Sequence, residues 1–332
     1  MDQPSPTTHR RSKAIRTTDL TKQYQDGESD VVALDRMDLE VKRGEVFGFL
    51  GPNGAGKSTT INILLGLSEP TSGSARVLGY HTQGETVPLR QRIGVLPEGL
   101  GLYERLTGRR HVEFALEWKD ADDDLQALID RVGLDERTID RPVAQYSKGM
   151  RQRLALALAL VGSPEVLILD EPSSGLDPHG IRRLRAIVRA ERDRGATVFF
   201  SSHLLDQVEA VCDRVGILLE GKLVDVDTVE GLRQTVGRGK ELELRVEAPV
   251  DTDLLSIAGV DAVSQTDGLL RVETSEATAK ARVVERLTRA GITIQDIDST
   301  EVSLEDVFTA YTGDSALGPI RSIGHQQEVP AR

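Results

Sequence analysis

The chain has 332 residues, 39% of them hydrophobic and 28% charged, which is the composition of a soluble globular protein long enough for about two domains. Its formal net charge of −12 counts against nucleic acid as a partner, because a nucleic-acid binder ordinarily carries a basic face. The one cysteine, Cys212, excludes an internal disulfide framework and points to a reducing cytoplasm.

Residues 1–13 are polar, include Pro4 and Pro6, and lack the apolar segment of a signal peptide, so a disordered leader is expected there. From 14 to about 224, short apolar strands alternate with amphipathic helices, the pattern of an α/β core. Strand candidates are 33–41, 45–50, 93–97, 166–170 and 197–201. Between 106 and 161 the strand signals stop and helical periodicity takes over, at 111–118, at 125–132 and after Ser147. A helical insertion inside the α/β core is expected. The longest apolar run, 154–161, is about half the roughly 20 residues that a membrane helix needs and is flanked by Arg151 and Arg153.

After Gly237 the character changes. Residues 241–246 alternate charged and apolar side chains, and 251–257 are short and helical. Residues 262–265 and 269–272 read as a hairpin with Asp267-Gly268 at its turn. An amphipathic helix at 277–290 and a last strand at 292–297 complete the order β-α-β-β-α-β, which predicts a small ferredoxin-like α+β module. Residues 302–311 read as helical and the tail from 313 as loose. No internal repeat is present, so one nucleotide-binding unit is expected.

Three stretches carry chemistry. The first is Gly51-Pro52-Asn53-Gly54-Ala55-Gly56-Lys57-Ser58-Thr59, placed between the apolar run 46–50 and an apolar-periodic helix at 60–67. Strand, glycine loop and helix in that order make a phosphate-binding P-loop. The glycines let backbone N–H groups curl round an anion, and the helix N-terminus adds the positive end of its dipole. Lys57 can reach the terminal phosphates and the Ser58 hydroxyl can ligate Mg²⁺. With glycine near 7% of residues, a chance match to this pattern is roughly a one-in-a-hundred event in such a chain. The chain is therefore expected to bind a nucleoside triphosphate.

The second stretch, 166–172, is an aliphatic strand ending in Asp170 and Glu171. Open α/β sheets place ligand chemistry at such strand ends. Asp170 suits an Mg²⁺ contact and Glu171 suits polarising an attacking water. The third, Gln145 to Arg153, opens a helix capped by Ser147, so free N–H groups face whatever lies in front of it.

With these in place the chain resembles the ATP-binding subunit of ABC transporters. The P-loop is similar to that family's Walker A motif, and Tyr146-Ser147-Lys148-Gly149-Met150 resembles its signature motif, usually Leu-Ser-Gly-Gly-Gln. Lys148 and Met150 depart from the usual form, while Ser147 and Gly149, which the family uses to touch phosphate, are retained. Residues 166–171 resemble Walker B, Ser174-Gly175-Leu176-Asp177 the D-loop, and Ser202-His203 the switch-histidine motif. Tyr24 stands where the family stacks an aromatic on adenine. Glu98 stands where its Q-loop has glutamine, and brings a negative charge towards the γ-phosphate in place of a neutral amide. The resemblance covers about 14–225, and the segment ending Leu304-Glu305-Asp306-Val307-Phe308 resembles the accessory region of drug-type and sodium-type exporter ATPases, such as the daunorubicin-resistance group.

The resemblance implies a P-loop NTPase cassette over 14–235 with a helical subdomain at about 104–162, an accessory domain at 236–313 and a flexible tail at 314–332. It implies ATP and Mg²⁺ as cofactors, the metal held by Ser58, Glu98 and Asp170. Lys57, Glu171 as base and His203 as γ-phosphate sensor would serve hydrolysis. Two cassettes, expected to be a homodimer, would face head to tail, each ATP lying between one P-loop and the other copy's Ser147 helix, with Asp177 nearby. A separate membrane permease would be driven through the surface near 98–109, placing the chain at the cytoplasmic face of the membrane. A soluble ATPase of this type acting on ribosomes or DNA is the alternative, disfavoured by the single cassette and the acidic balance.

Overall fold

Three strands, Val46–Leu50, Val166–Asp170 and Thr197–Ser201, are buried at every residue. Continuous burial is what parallel strands covered on both faces require, and it is why they read as unbroken apolar runs. The computed structural model describes residues 13–26, 29–84, 86–202, 204–235, 240–266, 268–274, 277–300 and 303–312. The chain divides into two compact units, Met1–Val229 and Glu230–Arg332.

In the first unit these strands form the middle of a six-stranded sheet. Its order is Lys222–Asp227, Arg214–Leu219, Val46–Leu50, Thr197–Ser201, Val166–Asp170, Ile93–Leu96. All neighbours are parallel except the edge pair Arg214–Leu219 with Lys222–Asp227. The C-terminal ends of Val46–Leu50, Val166–Asp170 and Ile93–Leu96 therefore lie along one side of the sheet, although long stretches of chain separate them.

A second, antiparallel sheet has the order Ser29–Met37, Lys13–Asp26, Ser72–Val77, Tyr80–His81, with Glu40–Lys42 also paired to the first strand. The single strand expected at 33–41 is thus two. Met37 pairs with Leu20 and Glu40 with Arg16, and between them side chains take over the ladder: Asp38 Oδ1 accepts from Asp19 N–H, and Thr17 Oγ1 accepts from Leu39 N–H. The strands Lys13–Asp26, Ser72–Val77, Arg214–Leu219 and Lys222–Asp227 also extend beyond the sequence candidates. Ile15, Leu20, Leu34, Phe47, Phe49, Ile63, Ile168 and Phe199 share one core, in which the Phe47 and Phe199 rings stack with centroids 6.0 Å apart. Such offset stacking adds about 1 kcal/mol to the area buried.

The helical insertion comprises Gly108–Lys119, Leu125–Val132, Glu136–Ile139, the 3₁₀ turn Val143–Gln145, and Lys148–Leu160. The four α-helices start at side-chain caps, Thr107, Asp124, Asp135 and Ser147. Lys119 ties the insertion to the sheet. Its Nζ donates to Ile93 O and to Val161 O, both at 2.9 Å, and burial lowers its pKa. The strand Ile93–Leu96 needs Gly94 because the helix Lys148–Leu160 passes close by: a Cβ there would stand 1.9 Å from Ala159 O.

The second unit contains a four-stranded antiparallel sheet, ordered Val260–Thr266, Leu269–Thr274, Lys240–Val246, Ile294–Thr300. With the helix Ala277–Arg289 this is the ferredoxin-like arrangement expected, the first crossover helix reduced to the 3₁₀ turn Thr252–Leu255. Leu242, Leu244, Leu270 and Val272 of the sheet meet Val283 and Leu287 of the helix in its core. A final helix spans Leu304–Thr312.

Gly94→Ala should destabilise the protein by about 1–3 kcal/mol, because neither the helix backbone nor the buried strand can move freely. Chemical denaturation checks this, and an unchanged midpoint would contradict the close approach.

Candidate functional site

The strand Val46–Leu50 runs into a loop that the helix Lys57–Leu64 closes. Gly56, at the N-cap, has φ 108°, and a Cβ there would stand 2.4 Å from Ala33 O, so only glycine fits. The first-turn N–H groups of a helix have no intrahelical acceptor. Here those of Lys57, Ser58 and Thr59 open onto a cavity of about 400 Å³, which is lined by Ala33, Pro52, Asn53, Gly54, Gly56, Lys57, Ser58, Thr59, Glu98, Asp170 and Glu171. The cavity stands where the three strand ends meet. It unites the P-loop with Glu98 and with Asp170 and Glu171 at the end of the strand Val166–Asp170, residues far apart in the chain.

Lys57 is buried, and its Nζ donates to Gly51 O at 2.5 Å and Pro52 O at 3.1 Å. Burial lowers its pKa, opposed by the charges of Glu171, Asp170 and Glu98. This is an ammonium held near anions with its donors resting on loop carbonyls. Asp170 is fixed by Ser201, whose Oγ donates to Asp170 Oδ1 at 2.5 Å. Glu171 is buried with φ 46°, and its N–H donates to Ser201 O at 3.2 Å. Glu98 is exposed just past the strand Ile93–Leu96.

The residues present fit a nucleotide triphosphate with a divalent cation. Free backbone donors and one ammonium face the space that phosphates need, and a hydroxyl and two or three carboxylate oxygens face the space that a hard cation needs.

Several sequence-predicted residues do not line this cavity. Gly51 and Ala55 lie under the loop, where Gly51 O receives Lys57 and Ala55 O receives Gly221 N–H. Tyr24 lies on the strand Lys13–Asp26, exposed, with Lys22 Nζ 4.9 Å from its ring centre. Ser147 caps the helix Lys148–Leu160, accepting from Met150 N–H at 3.2 Å. Lys148 lays its stem over Gly175, and Gly149 stands beside Gly175 O. Asp177 caps the helix Pro178–Asp193, accepting from Gly180 N–H at 2.7 Å and from Arg153 at 2.9 Å. The Gly180 N–H, more than Arg153, holds its carboxyl below the usual carboxylate range. The motif pair 147–150 and 174–177 thus forms its own cluster. His203 lies outside the described residues.

Sequence reasoning missed three participants. Ala33 lines the cavity from the strand Ser29–Met37, with no sequence signal at all. Ser201 had a signal, a hydroxyl at the end of an apolar strand, and its register opposite Asp170 gives it meaning. Gln152 Nε2 donates to Pro172 O at 3.0 Å, reaching the turn after the strand Val166–Asp170.

The ABC transporter family matches residues 34–174, and the family described as ATP-binding protein DrrA1-3-like, C-terminal domain, matches 228–312. The chain is 36% identical to the bacitracin transport ATP-binding protein BcrA of Bacillus licheniformis, covering 92% of this chain and 100% of that one. It is 34% identical to the daunorubicin/doxorubicin resistance ATP-binding protein DrrA of Streptomyces peucetius, covering 92% of this chain and 94% of that one. Among solved structures it is similar to an ATP-binding subunit of an ABC transporter, with TM-score 0.63 at 31% identity over 68% of this chain and 93% of that one. It is also similar to the dimeric, post-hydrolysis state of the cassette MJ0796 bound to ADP and Pi, with TM-score 0.60 at 26% identity over 64% and 98%.

Ser201→Ala removes a fully buried hydroxyl that serves both Asp170 and Glu171. A loss of about 1–3 kcal/mol in unfolding free energy is expected, read by urea denaturation; a stability unchanged by the substitution would show that the bond contributes nothing.

Proposed function

Since the chain belongs to the ATP-binding proteins of ABC transporters, with the C-terminal domain of their DrrA-like members, we propose that its cavity is the phosphate-binding half of an ATP site that a second copy of the chain completes. The chain is an ATP-binding, ATP-hydrolysing subunit of exporter type. One observation carries the reading of the site: P-loop donors, Lys57, Glu98, Asp170 and Glu171 line a single cavity.

In this reading the N–H groups of Gly54, Gly56, Lys57, Ser58 and Thr59 and the Lys57 ammonium bind and orient the β- and γ-phosphates. Ser58, Asp170 and Glu98 would hold Mg²⁺, which when bound neutralises charge on the phosphate oxygens. Glu171 takes the proton of the attacking water, its backbone held by Ser201. His203 is assigned to the γ-phosphate on its motif alone. Tyr24, with an exposed ring, stacks on adenine.

The cluster of Ser147, Lys148, Gly149, Met150 and Asp177 serves the other copy's nucleotide. The helix end at Ser147 offers donors and positive dipole to a polyanion, so ATP draws two copies together and hydrolysis weakens that bridge. The dimeric MJ0796 cassette supports this arrangement. We assign the membrane path to a separate permease, with this chain peripheral at the cytoplasmic face. Among the described residues no helix is long and apolar enough to cross a membrane. We assign the contact for that partner to the segment following Glu98, a reading that the exposed Leu100, Tyr103 and Leu106 support.

Glu171→Gln should keep ATP binding, trap the closed dimer in size-exclusion chromatography and lower turnover by roughly 10²–10⁴-fold. Undiminished hydrolysis would remove the base assignment. Lys57→Ala should weaken ATP binding by about 10–100-fold in a titration with a fluorescent analogue, the loss expected for a charged hydrogen bond. Wild-type affinity would contradict its phosphate role.

A further inference from the structure

Glu171 carries the proposed base on a backbone that resists it. Its φ of 46° lies in the left-handed region, which costs a residue with a Cβ roughly 1–2 kcal/mol. Such a conformation persists only where the surroundings over-determine it. Two of the restraints are local to the sheet and the turn: Glu171 N–H donates to Ser201 O at 3.2 Å, and Ser174 N–H donates to Glu171 O at 3.1 Å. Another comes from elsewhere. Gln152, half-buried on the helix Lys148–Leu160, donates through Nε2 to Pro172 O at 3.0 Å and lies 3.5 Å from Glu171 O.

We infer that Gln152 is a positioning residue for hydrolysis: it clamps the carbonyls of Glu171 and Pro172, and so makes the orientation of the Glu171 carboxylate depend on the place of the helix that starts at Ser147. The inference rests on the reading of Glu171 as base. Its neighbours are engaged differently. Arg153 donates to Gly133 O and pairs with Asp177, and Arg151 pairs with Glu104. Gln152 alone of the three turns to the catalytic strand end. A neutral amide suits that task, since it donates to carbonyls without adding a second cation to the strand end that Lys57 already faces.

The consequence is a link between two ATP sites. Ser147 faces the nucleotide held by the other copy, while Glu171 acts on the nucleotide of its own P-loop. Gln152 lies five residues along the helix from Ser147, so a shift of that helix on closure reaches the base through one side chain. Hydrolysis in one site therefore senses closure over the other.

The test is Gln152→Met, which keeps length and helix propensity and removes the donor, with Gln152→Ala alongside. Turnover, affinity for a fluorescent ATP analogue and melting midpoint are measured for each, and Gln152→Met is also made in the Glu171→Gln protein. The expected result is a roughly tenfold fall in kcat, with analogue affinity within about twofold and an unchanged midpoint for Gln152→Met. In the Glu171→Gln background no further loss of residual turnover should follow, because a residue acting through the base has nothing left to position. An unchanged kcat, a fall in affinity that matches the fall in kcat, or a full further loss in that background would overturn the inference. If Glu171→Gln alone retains wild-type turnover, the base reading fails first and separately.

Discussion

An ammonium buried at the start of a helix, opposite three carboxylates, is the interaction on which the rest of this protein depends. Burial disfavours the charge on Lys57 and lowers its pKa, and the charges of Glu171, Asp170 and Glu98 oppose that fall. Lys57 Nζ rests on the carbonyls of Gly51 and Pro52. The carboxylates in turn face a loop rich in backbone donors. Charges of both signs are thus concentrated in a small space, the complement of a polyphosphate with a cation, which is the ligand proposed for it.

Only a parallel sheet brings these groups together. Loops at the C-terminal ends of neighbouring parallel strands converge whatever their separation in the chain. The sheet must then be rigid enough to hold them. The aromatic stack of Phe47 on Phe199 lies behind the P-loop strand. Lys119 pins the helical insertion to Ile93 O, at the start of the strand that leads to Glu98. Gly94 lets the helix Lys148–Leu160 lie against that same strand. The insertion is therefore coupled to the cavity at two places, through Glu98's strand and through Gln152.

The departures from the family's usual motifs fall into two groups. Lys148 replaces a glycine, and its stem finds a place over Gly175, which has no Cβ to obstruct it. Met150 supplies the N–H that Ser147 caps, a task independent of its side chain. Glu98 is different, because it adds a negative charge at the cavity, and that charge opposes the fall in the Lys57 pKa that burial causes.

The sequence by itself determined the local pieces: the P-loop, the strand ending in Asp170 and Glu171, the cap at Ser147, and the order of elements in the C-terminal unit. These are legible because each depends on residues close in the chain, on glycine where φ must be positive or on periodic burial. Strands such as Lys13–Asp26 and Lys222–Asp227 escaped because they lie in antiparallel or edge positions, where exposure and polarity blur the apolar run. Tertiary structure alone decided that Ala33 lines the cavity with Glu98 and the 170–171 strand end, that Ser201 stands opposite Asp170, and that Gln152 grips the turn after it. Those pairings arise from strand order and helix packing, which bring together residues whose separation along the chain gives no hint that they meet.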